Sequence, residues 1–405
     1  MGLQAHYNRL ASALVAEILQ QQEQAVDGIL RRTFRQHKQM GSRDRRRVSD
    51  RVYLTLRHLR RLHHQITGAT ELPAEPLDQA ALLPLTTLAA DWLAEGLPPR
   101  GEEEPDPCFY SLPDWLWHRW HEQFGPAQSE QLALAMLEPG FLELRVNTMK
   151  AKRQQVARQL SQEGLENSPL KGNSCGLRLT ERRTLRDHPL FQQGRVEIQD
   201  GGSQQIAPLV NAKPGEKIVD FCAGGGGKTL HLAALMQNRG ELLALDNQAH
   251  RLERLKPRLK RAGVRVVQSH TIAHEQDPWL TRWHEKADAV LVDAPCSGLG
   301  TLRRHPEIKW RLAEAAIPSL NQQQQSLLNA AAKLVRPGGR LVYATCSLLA
   351  AENSQVIEAF LAQHDSFALQ PGADALSGEG EPSQLQLLPH QTGSDGFYAV
   401  ALIRS

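Results

Sequence analysis

Residues 216–229 have the sequence Glu-Lys-Ile-Val-Asp-Phe-Cys-Ala-Gly-Gly-Gly-Gly-Lys-Thr. The apolar run from Ile218 to Phe221 predicts a short buried strand, and apolar residues recur at helical spacing after Lys228. The four glycines between them remove every Cβ from the turn. A bare turn that leads into a helix N-terminus, with its unpaired N–H groups, predicts a cradle for a nucleotide-type cofactor.

Three classes of cofactor bind such a turn, and the spacing separates them. A P-loop requires glycine five residues before Gly227, where this chain has Cys222. The dinucleotide pattern requires a third glycine where this chain has Thr229. S-adenosylmethionine is the third cofactor, and an acid at the end of the next strand, Asp246, can accept both ribose hydroxyls. The remaining alternative is a purely structural glycine turn.

Length and composition exclude several classes of protein. At 405 residues with a net charge of +3, the chain can form two or three domains. Its five cysteines are an odd number without regular spacing, which argues against a disulfide framework, and no His/Cys cluster predicts a metal site. No apolar run approaches the ~20 residues that a membrane span needs. We therefore expect a cytoplasmic protein, a monomer that does not bind membranes.

The first third of the chain, residues 1–137, has helical spacing and a concentrated positive charge. Residues 31–61 contain twelve Arg or Lys against two acids. Such a run is usually a solvated helix face, but it can also form an electrostatic footprint for nucleic acid. Residues 77–96 predict another helix, residues 98–107 a linker, and residues 112–120 a helix with three packed tryptophans.

A small α+β module is predicted over residues 138–206. Residues 141–147 alternate like a strand, residues 152–164 fit an amphipathic helix, and two further short strands follow. We expect the module to bind single-stranded RNA through basic side chains on its surface. These are Arg145, Lys150, Lys152, Arg153, Lys171, Arg182, Arg183 and Arg186.

Strands and helices alternate over residues 207–405, which predicts an α/β domain with a doubly wound parallel sheet. The predicted strands are 217–221, 241–245, 264–268, 287–292 and 340–345, followed by two more near the C-terminus. The predicted helices lie near 228–237, 248–261, 320–335 and 353–363, with Pro257 expected to kink or shorten the second.

Two of these strands end in a cysteine. Asp293-Ala-Pro-Cys296 follows one buried strand, and Thr345-Cys346-Ser347 follows another. A single cysteine is more often a small core residue than a nucleophile. Two cysteines at the ends of neighbouring strands, beside a cofactor turn, instead indicate chemistry, because open α/β sheets place their ligands at that edge.

Methylation of a pyrimidine ring carbon needs this combination of groups. Carbon 5 of cytosine is a poor nucleophile until a thiolate adds to carbon 6 and pushes electrons toward carbon 5. A carboxylate such as Asp293 can hold the ring edge while charge develops there. From the residues alone, either Cys296 or Cys346 could be the attacking thiolate. The basic loop 301–311 could supply phosphate contacts and a stacking ring.

From about Arg145 onward the chain resembles the Sun/Fmu-type RNA cytosine-5 methyltransferases. The combination of Asp-Ala-Pro-Cys-Ser with Thr-Cys-Ser is highly specific for that family. The matching motifs are Arg145-Val-Asn147, Glu197-Ile-Gln-Asp200 with Ser203-Gln204, Asp220 to Thr229, Asp246, Asp293 to Gly300, Arg304-His-Pro-Glu307 and Thr345-Cys-Ser347.

The resemblance implies a class I methyltransferase domain and assigns roles to individual residues. Cys346 would be the nucleophile, Cys296 would assist product release, and Asp293 would lie between cofactor and base. Asp246 would hold the ribose of S-adenosylmethionine, and the cofactor cradle would comprise Cys222, Ala223, Gly224, Gly225, Gly226, Gly227 and Lys228. RNA contacts are expected from Arg145, Arg303, Arg304, His305 and Lys309.

Some features depart from the family pattern. The usual Ala-Pro-Gly-Gly of the cofactor turn is Gly224 to Gly227 here, and Ser269-His270-Thr271 stands where Gly-Asp-Ala is common. Some members carry an N-terminal domain like the antitermination factor NusB, which the helices before Leu137 could form. The prediction is an enzyme that methylates carbon 5 of cytosine in RNA, with ribosomal RNA favoured. The main alternative is a non-catalytic RNA-binding or ribosome-assembly protein on the same fold.

Overall fold

The computed structural model describes residues 2–21, 24–370 and 384–405. The helices are α1 (Leu3–Gln20), α2 (Val26–Gln36), α3 (Ser42–Arg57), α4 (Leu59–Thr67), α5 (Gln79–Glu95), α6 (Asp106–Phe109), α7 (Asp114–Phe124), α8 (Pro126–Leu137), α9 (Arg153–Gln162), α10 (Pro189–Gln192), α11 (Gly201–Leu209), α12 (Gly227–Leu235), α13 (Ala249–Ala262), α14 (Ile308–Arg311), α15 (Ile317–Ala332), α16 (Ser354–Leu361) and α17 (Pro389–Thr392). None of the helices in these ranges is long and apolar enough to cross a bilayer. The expected cytoplasmic location and monomeric state stay predictions.

The strands belong to two sheets. They are β1 (Leu142–Val146), β2 (Asn167–Pro169), β3 (Gly176–Leu179), β4 (Val196–Ile198), β5 (Lys217–Asp220), β6 (Glu241–Asp246), β7 (Val267–Thr271), β8 (Ala287–Asp293), β9 (Val335–Thr345), β10 (Phe367–Leu369), β11 (Gln384–Leu387) and β12 (Phe397–Arg404). The chain divides into two compact units, Met1–Pro139 with Thr301–Ala315, and Gly140–Gly300 with Ala316–Ser405. The predicted boundaries at 137 and 206 differ from this division, because residues 301–315 belong with the helices and the small module belongs with the large sheet.

The first unit is a helical bundle whose core is formed by α1, α2, α3, α4 and α5. Helix α3 begins where the Asp44 carboxylate accepts the N–H of Gly41, which satisfies one of the unpaired donors at a helix start. The segment predicted as a linker is an integral part of this unit. The buried Glu104 pairs with Arg61 of α4 at 2.8 Å, and that guanidinium also donates to the carbonyls of Pro98 and Pro99.

Residues 301–315 pack on this bundle through basic side chains and an indole that donate hydrogen bonds to carbonyls at helix C-termini. Lys309 Nζ donates to the carbonyl of Arg57 at 2.8 Å, and Trp310 Nε1 donates to that of Leu56. Both carbonyls lie in the last turn of α3, where no intrahelical donor is left for them. Arg311 donates to the carbonyl of Ile18 in the last turn of α1. This basic segment therefore caps helix C-termini, where the helix dipole favours positive charge.

In the second unit the small module is a four-stranded antiparallel sheet in the order β2-β3-β1-β4. Strand β2 was not predicted, because three residues ending in Pro169 have no alternation to recognise. The module is fixed to the rest of its unit by buried polar contacts. Asn147 donates to the carbonyl of Ala262 at the end of α13, and Glu197 pairs with Arg258 and Arg261 of the same helix.

The large sheet has the order β10-β12-β9-β8-β5-β6-β7, with β11 paired to β12. The five strands from β7 to β9 in this order are parallel, and β12 is antiparallel to β9. Successive residues of β8 face opposite sides, as the pleat requires. Val290 packs with residues of α15 and α16, and Leu291 packs with residues of α11 and α12. Helices on both faces make this the predicted doubly wound sheet.

One strand begins later than predicted, and one helix is not shortened at its proline. The strand predicted at 264–268 runs from Val267 to Thr271, because Gly263 closes α13 in the left-handed region and Val264 N–H still bonds back to Leu259. Helix α13 is not shortened by Pro257 but continues to Ala262. Pro257 and Glu253, whose carbonyl loses its helical partner, are both exposed, so water can satisfy that carbonyl.

Candidate active site

The candidate site lies where the chain reverses its direction across the large sheet. From β5 the chain moves outward through β6 and β7, and it then returns to the other side of β5 with β8 and β9. Ligands in open α/β sheets bind at the carboxyl ends of the strands on either side of such a reversal. The glycine turn follows β5, and Asp293 ends β8, so both lie at this point.

The glycine turn is held in a defined shape despite the absence of a proline. Gly226 has a φ of +82°, and a Cβ there would lie 2.1 Å from Leu255 Cδ1, so only glycine fits. The N–H of Gly224 donates to Asp246 Oδ2 at 2.9 Å. Arg258 donates to the carbonyl of Gly225, which fixes the other side of the turn.

The residues around this turn suit a nucleoside with a charged tail. Gly224 has a φ of +53° and no atom within 4 Å of a Cβ built on it, so its edge is open to a ligand. The carboxylate of Asp246 is oriented by N–H donors of Gly224 and Gln248 at the end of β6, where a ribose diol would meet it. Near the end of β7, His270 stacks on Trp279 with ring centroids 3.7 Å apart, so an aromatic pair lies at the end of the next strand.

An ion pair lies beside the turn. Lys228 Nζ, on the first turn of α12, donates to Asp293 Oδ2 at 2.7 Å. Burial alone would lower the pKa of Lys228, but Asp293 and the nearby Cys346 outweigh it, and the net pKa is raised. Asp220 is fully buried at the end of β5 and accepts a hydrogen bond from Thr229 Oγ1 at 2.6 Å. Burial raises the pKa of Asp220 to about 7.

The two strand-end cysteines lie against each other. Cys296 Sγ, in the turn after β8, is 3.3 Å from Cys346 Sγ, in the turn after β9. Gly300 lies against the backbone after β9: its N–H donates to the carbonyl of Cys346 at 2.8 Å, and a Cβ there would lie 2.2 Å from the carbonyl oxygen of Gly396. The hydrogen bond to Cys346, followed by burial, raises the pKa of the Cys296 thiol well above its ordinary value. Burial and three nearby carboxylates also raise the pKa of Cys222.

Comparison with known proteins identifies the family. Residues 207–403 match the model described as 16S rRNA methyltransferase RsmB/F, and residues 112–186 match the one described as Methyltr_RsmF/B-like, ferredoxin-like domain. The chain is 37% identical over 299 residues to "Probable ribosomal RNA small subunit methyltransferase B" of Synechocystis sp., covering 72% of the chain and 67% of the relative. It is 36% identical over 310 residues to ribosomal RNA small subunit methyltransferase B of Pseudomonas syringae pv. tomato, covering 75% of the chain and 68% of the relative. The chain belongs to the RsmB/F family of 16S rRNA methyltransferases.

Solved structures agree with this membership. The crystal structure of PH0851 is 27% identical, covers 99% of each chain and has a TM-score of 0.80. The structure of a methyltransferase homolog protein from Pyrococcus horikoshii is 28% identical, covers 74% of this chain and 97% of that one, and has a TM-score of 0.63. The methyltransferase fold and the family that the motifs predicted are therefore confirmed.

Several basic residues that we expected to contact RNA are not on the surface of this RsmB/F family member. Arg145 is buried, donates to Gln199 Oε1 at 2.7 Å and reaches the carbonyl of Gly227, and burial lowers its pKa to about 10. Arg303 and Lys309 are buried among the helices of the first unit. Their burial was not predicted, because neither residue alternation nor charge counting indicates which backbone carbonyl needs a donor.

The remaining predicted residues are distributed as follows. The structure brings together the glycine turn, Lys228, Asp293 and the two cysteines. Arg304 and His305 are half-buried in the helical unit. Sequence reasoning missed the buried Glu352, which contacts both cysteine turns, because an isolated acid after an apolar run resembles a surface residue. It also missed Trp279, the stacked partner of His270, because an indole nine residues later in the sequence is a weak signal.

Proposed function

We propose that this chain methylates carbon 5 of a cytosine in ribosomal RNA, with S-adenosylmethionine as methyl donor and Cys346 as covalent nucleophile. The observation that carries the proposal is the pair of thiols 3.3 Å apart at the ends of adjacent parallel strands, beside a glycine turn and a lysine–carboxylate pair. A methyl transfer to oxygen or to an exocyclic amine does not require two thiols in contact.

The cofactor would lie along the glycine turn. Its ribose would meet the Asp246 carboxylate, and the open edge at Gly224 would allow its tail to approach the backbone. When bound there, S-adenosylmethionine supplies an electrophilic methyl group.

The resemblance gives Cys346 the role of nucleophile, and the geometry of the cysteine pair is compatible with it. At an Sγ–Sγ distance of 3.3 Å, a thiol on Cys296 could donate a hydrogen bond to a thiolate on Cys346. The ammonium of Lys228 adds positive charge near the same sulfur. Cys346 would add to carbon 6 of the base, which places an electron pair on carbon 5 for methyl transfer. Loss of the carbon-5 proton to a base would then expel Cys346 as a thiolate.

The resemblance assigns help with this release to Cys296, and its position fits that role. Once Cys346 is bonded to carbon 6, its negative charge is consumed and the main cause of the raised pKa of Cys296 is removed. Cys296 can then exchange a proton close to the departing sulfur. Asp293, oriented by Lys228, would accept hydrogen bonds from the polar edge of the ring.

RNA would be held by exposed cations of the small module. The side chains of Lys152, Lys171, Arg183 and Arg186 are exposed there, as expected from the sequence. Phosphate contacts of this kind give affinity that falls with salt. Arg304 and His305 of the helical unit are further candidates for RNA contact.

The proposal is tested with ribosomal RNA that carries tritium at carbon 5 of cytosine. We expect one tritium released for each methyl group transferred from S-adenosylmethionine, and a new non-converted cytosine after bisulfite sequencing. Methyl transfer without tritium release would contradict carbon 5 as the acceptor. Absence of S-adenosylmethionine binding by calorimetry would favour the non-catalytic alternative.

A further inference from the structure

Glu352 ends a short turn of 3-10 helix after β9 and is fully buried. Within the described part of the chain, no Lys, Arg or His forms an ion pair with its carboxylate. A buried carboxylate without a cation is expensive unless hydrogen bonds satisfy its oxygens. The donors that satisfy Glu352 therefore indicate why it is there.

The first of these donors belong to the Cys296 turn. Glu352 Oε1 accepts the backbone N–H of Ser297 at 2.8 Å and the side-chain amide of Gln324 at 3.0 Å. The same Gln324 amide donates to the carbonyl of Pro295 at 3.0 Å. The residues before and after Cys296 are thus both tied to this one carboxylate.

The other donor belongs to the Cys346 turn. The hydroxyl of Ser347, the residue after Cys346, donates to Glu352 Oε2. Ser297 Oγ also donates to Ser347 Oγ at 3.0 Å, so the two turns are bridged directly as well. Hydrogen bonds to a charged acceptor are the stronger class, which suits a carboxylate at the centre of this bridge.

We propose that Glu352 is a positioning residue of the methyl transfer, holding the Cys296 and Cys346 turns together so that the two sulfurs stay in contact. The proposal rests on the proposed function for its effect on turnover, but the contact between the sulfurs can be measured without any reaction on RNA. Glu352 touches neither the cofactor turn nor the two sulfurs, and it acts through Ser297 and Ser347.

The charge of Glu352 has a second consequence. It adds to the effects of Cys346 and burial that raise the pKa of Cys296. Cys346 and Glu352 are the titratable groups that raise the pKa of Cys296. Tyr343 on β9 also interacts electrostatically with Cys296. Glutamine at position 352 keeps the shape and one acceptor oxygen but removes the charge, so the pKa of Cys296 should fall.

The experiment compares Glu352→Gln and Glu352→Ala in the full chain with Glu358→Gln, which alters an exposed acid on α16. Diamide takes two electrons and two protons from a neighbouring thiol pair and leaves a disulfide. Peptide mapping of the Cys296–Cys346 disulfide then reports how well the sulfurs are held together. We expect its formation to slow by about 10-fold or more in Glu352→Ala and to be unchanged in Glu358→Gln.

Two readouts separate positioning from a general loss of structure. The alkylation of Cys296 by iodoacetamide should shift to lower pH in Glu352→Gln, while S-adenosylmethionine affinity stays at the wild-type value. Turnover should fall by about 10- to 100-fold. Unchanged disulfide formation in Glu352→Ala, or an unchanged alkylation profile in Glu352→Gln, would overturn the proposal. If the wild-type protein transfers no methyl group, the proposed function is wrong. The disulfide and alkylation results would still test whether Glu352 holds the two cysteines in contact.

Discussion

Two buried lysines, one in each unit, have opposite electrostatic surroundings. Lys309 donates to the neutral carbonyl of Arg57 at the end of α3, and burial, with Arg57 nearby, lowers its pKa well below the ordinary value. Lys228 donates to the carboxylate of Asp293 at the end of β8, and its pKa is raised. The two buried lysines therefore differ in their partners: one donates to a neutral carbonyl at a helix end, and the other pairs with a carboxylate in the candidate active site.

The same contrast explains why a count of charged residues along this chain is a poor guide to where RNA binds. The basic segment 303–311 lies between two motifs of the active site in sequence, and its charges suggest phosphate contacts. In the structure Lys309 and Arg311 instead donate to carbonyls at helix ends, which lack donors and lie at the negative end of the helix dipole. The second unit instead brings carboxylates, a lysine and thiols together at the ends of parallel strands.

The largest expected effect tests whether the strand ends are the chemical centre. Cys346→Ala should abolish methyl transfer and form no covalent RNA complex, because no thiolate can add to carbon 6. Cys296→Ala should instead accumulate a protein–RNA species that survives denaturing gels, because the adduct forms but resolves slowly. Incubation with S-adenosylmethionine and RNA, followed by denaturing electrophoresis, measures both.

The matched control for these variants is Cys108→Ala, since Cys108 is buried in the helical unit. It should retain turnover and trap no RNA. If Cys346→Ala traps RNA and Cys296→Ala does not, the two roles are reversed. If both variants stay active, the thiolate mechanism is wrong.

The next effect compares the two lysines directly. Lys228→Met should reduce turnover by about 100- to 1000-fold, the range for loss of one preorganised donor in an active site. Lys309→Met should leave turnover within about twofold, because its ammonium contacts only the helical unit. Initial rates at saturating RNA and cofactor measure the difference. Equal losses in both variants would mean that Lys309 is also part of the catalytic machinery.

A smaller effect is expected at the cofactor turn. Asp246→Ala should weaken S-adenosylmethionine binding by roughly 1.5–3 kcal/mol, the scale of hydrogen bonds to a charged group. Calorimetric titration of the free protein provides the value, and Asp288→Ala, at the far end of β8, is the control. If Asp246→Ala binds S-adenosylmethionine with wild-type affinity, Asp246 does not hold the ribose.

The proximity of the glycine turn, Lys228, Asp293 and the two cysteines could be predicted from the sequence because its signals are local. A glycine turn between a buried strand and a helix, and cysteines directly after strands, specify both the element and the edge where the side chains lie. The order of the strands then brings Cys296 and Cys346 together. The placement of Arg145, Lys309 and Glu352 could not be predicted, since each has a hydrogen-bond partner more than fifty residues away in sequence. Periodicity reports which face is apolar, not which buried carbonyl or N–H needs a partner.

The smallest expected effect concerns RNA affinity, where the structural role of Lys309 predicts almost no change. Lys309→Met should leave the affinity within about twofold and leave its salt dependence unaltered. Replacing Lys171, Arg183 and Arg186 of the small module by glutamine should make the negative slope of log affinity against log salt shallower by up to about 2, at roughly 0.7 for each lost phosphate contact. Fluorescence anisotropy with single-stranded RNA at several salt concentrations measures both variants.

The same Lys309 variant has a second signature, in stability against pH. Between the lowered pKa of Lys309 in the folded protein and its ordinary value of 10.5, the unfolded chain holds a proton that the folded chain lacks. Raising the pH through this window therefore favours the folded state. The free energy of unfolding of the wild type should rise relative to that of Lys309→Met as the pH approaches 10.5, measured by urea unfolding at several pH values. Two results would contradict this role: a difference in unfolding free energy between wild type and Lys309→Met that does not depend on pH, and a shallower salt dependence of RNA affinity in Lys309→Met. Together they would show that Lys309 is charged and binds phosphate, so that both buried lysines would pair with anions.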